Sequence, residues 1–318
     1  MMTIQSKLAL GLTAIALLFT ACSKPAEDPI PVAPDAAIQT VITEFAKGNG
    51  GIIWQAMPTS YQTDVSDLLH LAGSKIDPEL YDKSFATIAR LAGVIDQQQA
   101  LILNSSFMQD RSAEEMAQLE AALPAIVDLV GTITSSELAS ITGLLNFNGQ
   151  DFFDTTVSQL THYAEALGQL AGEESMLSNY MNTVVTVVEA DDLQAMLLTT
   201  VPGKEPVEQA FTKVEQRWVP SEMASDWAAR IAEATAELEA TSMEDIAANK
   251  PQMMGVLTMI DGVLAQIAAA ETQEQFDQSL KGAMMPLMGL MMMGQGMGGS
   301  AAPAAPMPAA PSSIPSVK

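Results

Sequence analysis

The sequence predicts a mainly α-helical protein of packed short helices with a small three-stranded antiparallel β meander near residues 183–220, an α+β arrangement. Three observations predict it. Between residues 36 and 181, apolar residues recur every three or four positions, in runs ended by glycine or by Ser/Thr caps. Over 183–220 that period gives way to β-branched runs broken by two turns. After Pro220 the helical period returns.

The elements follow in order. After Asp35, a residue type suited to an N-cap, Ile38, Val41, Ile42 and Phe45 share one stripe that stops at Gly48-Asn49-Gly50-Gly51. Thr59 and Gln62 have the spacing of a capping box, and Val65, Leu68, Leu69 and Ala72 continue the helix to Gly73. Asp77 with Pro78 at the first helical position opens the next helix, which carries Leu80, Phe85, Ile88 and Leu91. Ser112 and Glu115 repeat the capping-box pattern ahead of Leu119, Leu123, Ile126, Val127 and Val130. Further helices are expected near 136–145, 152–171 and 174–181, with Asp151 of "NFNGQDFFD" capping the second of them.

The stretch "TVVTVVEADDLQAMLLTTVPGKEPVEQAFTKVEQRWVP" holds three β runs separated at Glu189–Asp192 and at Pro202-Gly203-Lys204. Its closing "FTKVEQRWVP" resembles the last strand of small cystatin-like or NTF2-like domains. That resemblance covers about 40 residues and carries no binding residue with it. Ser221 then caps a helix through Trp227, Ile231 and Leu238, and Pro251 stands at the start of another with Val256, Ile260, Leu264 and Ile267. No internal repeat of 20–50 residues is visible.

The N-terminal segment has a different logic. Met1 to Lys7 is polar with one cation, and Leu8 to Ala21 is an uncharged, largely apolar run of 14 residues. That is short for a bilayer span and right for the apolar region of a signal peptide. Small Thr20 and Ala21 precede Cys22, the only cysteine, so no disulfide partner exists within the chain. The stretch "LLFTAC" resembles the lipobox of bacterial lipoproteins, with Phe19 where leucine is usual. The resemblance implies that residues 1–21 are removed and that Cys22 carries a diacylglyceryl group as the mature N-terminus. Ser23 stands where an aspartate would signal inner-membrane retention, which implies the outer membrane. Pro25, Pro29, Pro31 and Pro34 then make 22–35 read as an extended tether below an acidic domain over 36–282.

The net charge is −24, and removal of residues 1–21 takes Lys7 and no acid, giving −25. Between Arg111 and Lys204 there is no Lys or Arg and there are 13 acidic residues. Such a chain is repelled by nucleic acid and by anionic headgroups, and it favours a cationic partner, divalent ions or plain solubility.

His70 and His162 stand far apart, without the Cys or second His that a triad or zinc site needs at defined spacing. Nucleophile elbow, phosphate loop and Cys-x-x-Cys patterns are absent from the sequence. The unusual feature of the mature chain is its tail, 283–318, rich in Met, Gly, Ala and Pro and expected to be disordered. Met284, Met285, Met288, Met291, Met292 and Met293 are the candidate contact residues there. Their thioethers suit either an apolar partner or Cu(I). The expectation is a lipid-anchored envelope protein with a non-enzymatic binding or interaction role, an envelope protein as partner and no cofactor. The alternatives are a Cu(I)-binding protein and a hydrolase whose paired carboxylates leave no sequence signature.

Overall fold

A computed structural model describes residues 28–283. Four strands, β1 (Val184–Ala190), β2 (Gln194–Thr200), β3 (Val207–Val214) and β4 (Arg217–Pro220), form an antiparallel meander in that order. Their register aligns Val187 with Leu197 and Gln209, Ala195 with Phe211 and Pro220, and Lys213 with Trp218. Alternation then places Val185, Leu197, Phe211 and Trp218 on one face. Two helices cover it, α1 (Pro34–Ala46) and α2 (Gly51–Ala56), through Ala37, Ile38, Val41, Ile42, Phe45 and Ile52. Burial is deepest here, with Leu197 at 0% and Ile52 at 1% exposure.

The fourth strand corrects the predicted three. The run 207–220 folds back at Glu215–Gln216, whose φ angles of 47° and 66° give the left-handed pair that a two-residue hairpin turn requires. Neither residue is the Asn or Gly that marks such a turn in a sequence, so the run reads as one strand. Left-handed backbone costs on the order of 1 kcal/mol per residue. A long-range bond offsets it: the Ser60 N–H donates to the Glu215 carboxylate at 3.0 Å, and this donor holds the Glu215 carboxyl below the ordinary carboxylate range.

Between α2 and the sheet lie α3 (Thr59–Lys75), α4 (Pro78–Gln97), α5 (Gln99–Leu103) and α6 (Ala113–Ser135). A 3-10 turn (Glu137–Ala139) leads into α7 (Ile141–Leu145). Next, α8 (Gly149–Phe152) passes through a π-helical turn (Phe153–Val157) into α9 (Ser158–Leu170), and α10 (Met176–Met181) precedes β1. After the sheet come α11 (Ser221–Ala240), α12 (Met243–Ala268) and a helical stretch over 273–283. The helices α12, α4, α6 and α9 pack in a row, each against the next. Val94 of α4, Leu264 and Ile267 of α12, and Phe276 close a second core at one end of that row.

A polar seam joins α4 to α12. Lys83 and Arg90 both pair with Asp261, Thr87 donates to the same carboxylate at 3.3 Å, Asp77 pairs with Lys250 at 2.9 Å, and the Gln98 amide donates to the Ala268 carbonyl at 2.8 Å. Partners climb both helices together, so α4 and α12 run parallel.

Helix starts divide into those that sequence chemistry placed and those that tertiary contacts moved. The Ser112/Glu115 capping box is complete, at 2.7 and 3.2 Å, and Asp77 accepts from the Leu80 N–H at 3.0 Å. Thr59 and Gln62 form no box, because the Gln62 amide is drawn to the Trp54 and Met57 carbonyls. The cap of α8 is Asn148 rather than Asp151, and Ser221 bonds Thr212 instead of capping α11. Pro251 lies inside α12, which starts eight residues before it at Met243, behind a Ser242 cap. Residues 28–33, expected to be free tether, are held against the sheet. Ile30 is 5% exposed, Asp28 pairs with Arg217 at 2.7 Å, and Trp218 Nε1 donates to the Val32 carbonyl at 2.9 Å.

Two outcomes test this packing. Leu197→Ala is expected to lower unfolding free energy in urea by about 2–5 kcal/mol, while exposed Val184→Ala changes it by under about 0.5 kcal/mol. The Lys83 hydrogen bond holds the Asp261 carboxyl below the ordinary aspartate range. Its stabilisation is complete above the unfolded value of about 3.9 and is lost as pH falls through the lower folded value. Asp261→Asn should therefore lower the thermal midpoint at pH 7, with the gap to wild type narrowing below pH ~4. A gap independent of pH would remove the ion pair as its source.

Candidate functional site

The face of the sheet turned away from α1 is only partly covered. Its residues include Val184, Thr186, Glu189, Met196, Leu198, Glu208, Ala210, Thr212 and Val219, by the register that put their neighbours inside. Helix α11 packs on β3 and β4, where Val219 is buried. Towards β1 the cover ends: Val184 is 54% and Val188 51% exposed, and Thr186 and Ala210 are exposed as well. The result is a surface open to solvent that is apolar along Val184, Thr186 and Val188 and carries Glu208 and Glu189 beside them.

Strand β1 is also one of the two edges of the sheet. Gln39 of α1 reaches the start of this edge, donating to the Thr183 carbonyl at 3.0 Å and accepting from the Val185 N–H at 2.9 Å. A side-chain amide thus occupies the place of a neighbouring strand. In an antiparallel ladder successive residues turn their backbone groups to opposite sides. Val187 therefore presents its N–H and C=O outward, as Val185 does, and among the described residues nothing hydrogen-bonds to them. Val187 itself is 41% exposed. A bulge between Val187 and Glu189 ends the regular stretch.

Beyond the bulge the surface turns acidic, with Glu189, Asp191 and Asp192 all exposed. Asp191 fixes the β1–β2 turn by accepting from the Leu193 and Gln194 N–H groups at 2.8 and 2.7 Å. These donors hold its carboxyl below the ordinary aspartate range. Glu208 stands across from Leu198 on the same open face. At the opposite end of β1, the β2–β3 connection carries Lys204 beside Glu205. The edge is thus apolar in its middle and negative at its far end.

A second concavity lies between α6 and α9, an open groove of about 440 Å³. Ala121, Ala125 and Ala166 line it, and Asp128, His162 and Tyr163 supply its polar groups. His70 sits on α3, so the structure keeps the two histidines on separate helices. Among the described residues no group of three or more His, Cys, Asp or Glu is placed to hold a metal ion. Cys22 and the tail methionines Met284, Met285, Met288, Met291, Met292 and Met293 lie outside the described residues.

Comparison of the chain with protein-family models, with curated proteins and with solved structures finds no match. The sheet's open side was not singled out by sequence reasoning. One signal was available: "VVTVV" has β-branched residues at every position, where a half-buried strand would alternate with polar ones.

Gln39→Ala is expected to destabilise the protein by about 1–2 kcal/mol and to speed hydrogen exchange at the Val185 amide while leaving Leu197 protected. Equal loss of protection at both amides would mean that Gln39 holds the sheet as a whole and not its edge.

Proposed function

We propose that the chain is a membrane-anchored bacterial lipoprotein with a non-enzymatic binding role in the cell envelope, and that the open side of the sheet is its binding surface. The observation that supports this reading is the exposed β1 surface, where Val184 and Val188 present apolar area on the open face beside a strand edge. Contiguous apolar surface of this kind marks protein contact sites on soluble domains. The net charge of −24 directs the reading away from nucleic acid and towards protein.

Anchoring is assigned to Cys22 on the strength of "LLFTAC" and the apolar run before it. One described helix, α6, is long and apolar enough to cross a membrane. It packs between α4 and α9, and its exposed residues include Glu114, Gln118, Glu120 and, in the groove beside α9, Asp128. Those groups suit a helix facing water better than one facing lipid. Acyl chains on Cys22 contribute about 0.8 kcal/mol per buried methylene, so two or three chains hold a soluble domain at a bilayer.

Two measurements in intact cells test the reading. Cys22→Ser is expected to move the protein from the membrane to the soluble fraction. A photoreactive residue at position 188 is expected to give a discrete protein adduct, while one at exposed Thr63 on α3 gives none. No adduct at 188, or the same adducts at both positions, would sink the assignment of the binding surface.

A further inference from the structure

The shape and charge of the β1 edge point to a particular class of partner. We infer that β1 accepts a short extended segment of a cationic partner protein as an added strand. The inference rests on the binding role proposed above and names how the surface would be used.

Backbone chemistry carries the first part. Val187 offers an N–H and a C=O in the plane of the sheet, and the Val185 C=O points the same way. Only another extended backbone supplies matching acceptor and donor at strand spacing. Gln39 already performs this pairing at the Val185 N–H, which shows that the position accepts a ladder-like partner. The bulge after Val187 limits an added strand to a few residues. Its side chains would lie beside Val184, Thr186 and Val188 on the open face, which supplies the apolar contact.

Charge carries the second part. The charged groups around this edge include Glu189, Asp191 and Asp192 at its end, Glu208 on the adjoining face, and the Lys204–Glu205 pair at its start, while Lys213, whose N–H bonds the Leu193 carbonyl, has its ammonium over the Trp218 ring. Glu44 and Lys47 of α1 bond each other at 2.7 Å. The balance is negative where the strand emerges, so a segment with Lys or Arg is favoured and an acidic one is repelled. A second copy of this chain would bring its own Glu189, Asp191 and Asp192 together with a net charge of −24, which disfavours self-pairing.

The test uses the purified full chain in detergent and two labelled heptapeptides, one alternating valine with lysine and one alternating valine with glutamate. Fluorescence anisotropy is expected to show the lysine peptide binding at least tenfold more tightly than the glutamate peptide, with the preference shrinking in high salt. Val187→Pro removes an N–H that bonds nothing inside the sheet, at an edge position where proline is tolerated, so the fold should persist. Unchanged protection of the Leu197 amide checks that. In this variant, lysine-peptide binding is expected to weaken at least tenfold. A second variant, Glu189→Lys with Asp192→Lys, keeps the edge and should reverse the peptide preference.

Equal binding of both peptides, binding of neither, or full binding by Val187→Pro would overturn strand addition, as would a stable dimer in sedimentation experiments. In cells, an adduct at position 188 that survives Val187→Pro would also overturn it while leaving the binding role standing. Absence of that adduct from the wild-type background removes the binding surface itself.

Discussion

Leu197 has no exposed surface because α1 lies across the sheet that contains it, and this packing of one helix on a meander sets most of the remaining architecture. The two partners are far apart in the chain. Gln39 meets Thr183 and Val185 across 144 and 146 residues, and the Val32 carbonyl meets Trp218 across 186. Everything from α3 to α10 is therefore inserted between a helix and the sheet it covers. Closing so large a loop costs only a logarithmic increment of entropy. Its kinetic consequence is greater, since contacts of this separation form late in folding. Small Ala37, 1% exposed, lets α1 approach the sheet closely enough for Gln39 to reach the strand edge.

The inserted helices follow a different rule. A row in which α12, α4, α6 and α9 each touch the next leaves every helix with uncovered sides, so apolar burial is shallow. Polar pairing compensates at the α4–α12 seam, where Thr87 and Gln98 are buried and both have partners. Among the described residues no buried side-chain polar atom lacks a hydrogen bond. One close approach is enforced by glycine. A Cβ on Gly149 would fall 2.1 Å from the Trp54 ring, so α8 can lie against α2 only with hydrogen at that position.

What the sequence made legible was what depends on neighbours in the chain. Helical periodicity, the Asp77 cap and the Ser112/Glu115 box all work within one turn, and all appear as read. What it hid depends on contacts between distant segments. Thr59 and Gln62 have capping-box spacing, yet the orphan N–H of Ser60 is satisfied by Glu215, 155 residues away. The same contact stabilises a turn with no Asn or Gly, which is why three β runs become four strands. The proline-rich start misled for a related reason, because its composition cannot show that Ile30 and the Val32 carbonyl find partners on β4. The open side of the sheet was concealed more simply. A continuous run of β-branched residues is what a strand buried on both faces shows, and only the absence of a second covering layer near β1 distinguishes this one.

An exposed, uncharged edge strand is a hazard that proteins ordinarily suppress with charges, bulges or a covering element. All three devices are present around β1: Gln39 blocks its first donor, the bulge twists the strand after Val187, and Glu189, Asp191 and Asp192 repel like-charged chains. Complete suppression would place a proline at Val187, whose N–H bonds nothing in the sheet, or a charge at exposed Val188. The chain instead keeps both valines exposed between devices that exclude acidic partners and limit the length of pairing. Protection of that form acts against self-association in a chain of net charge −24, while leaving a short basic strand unopposed.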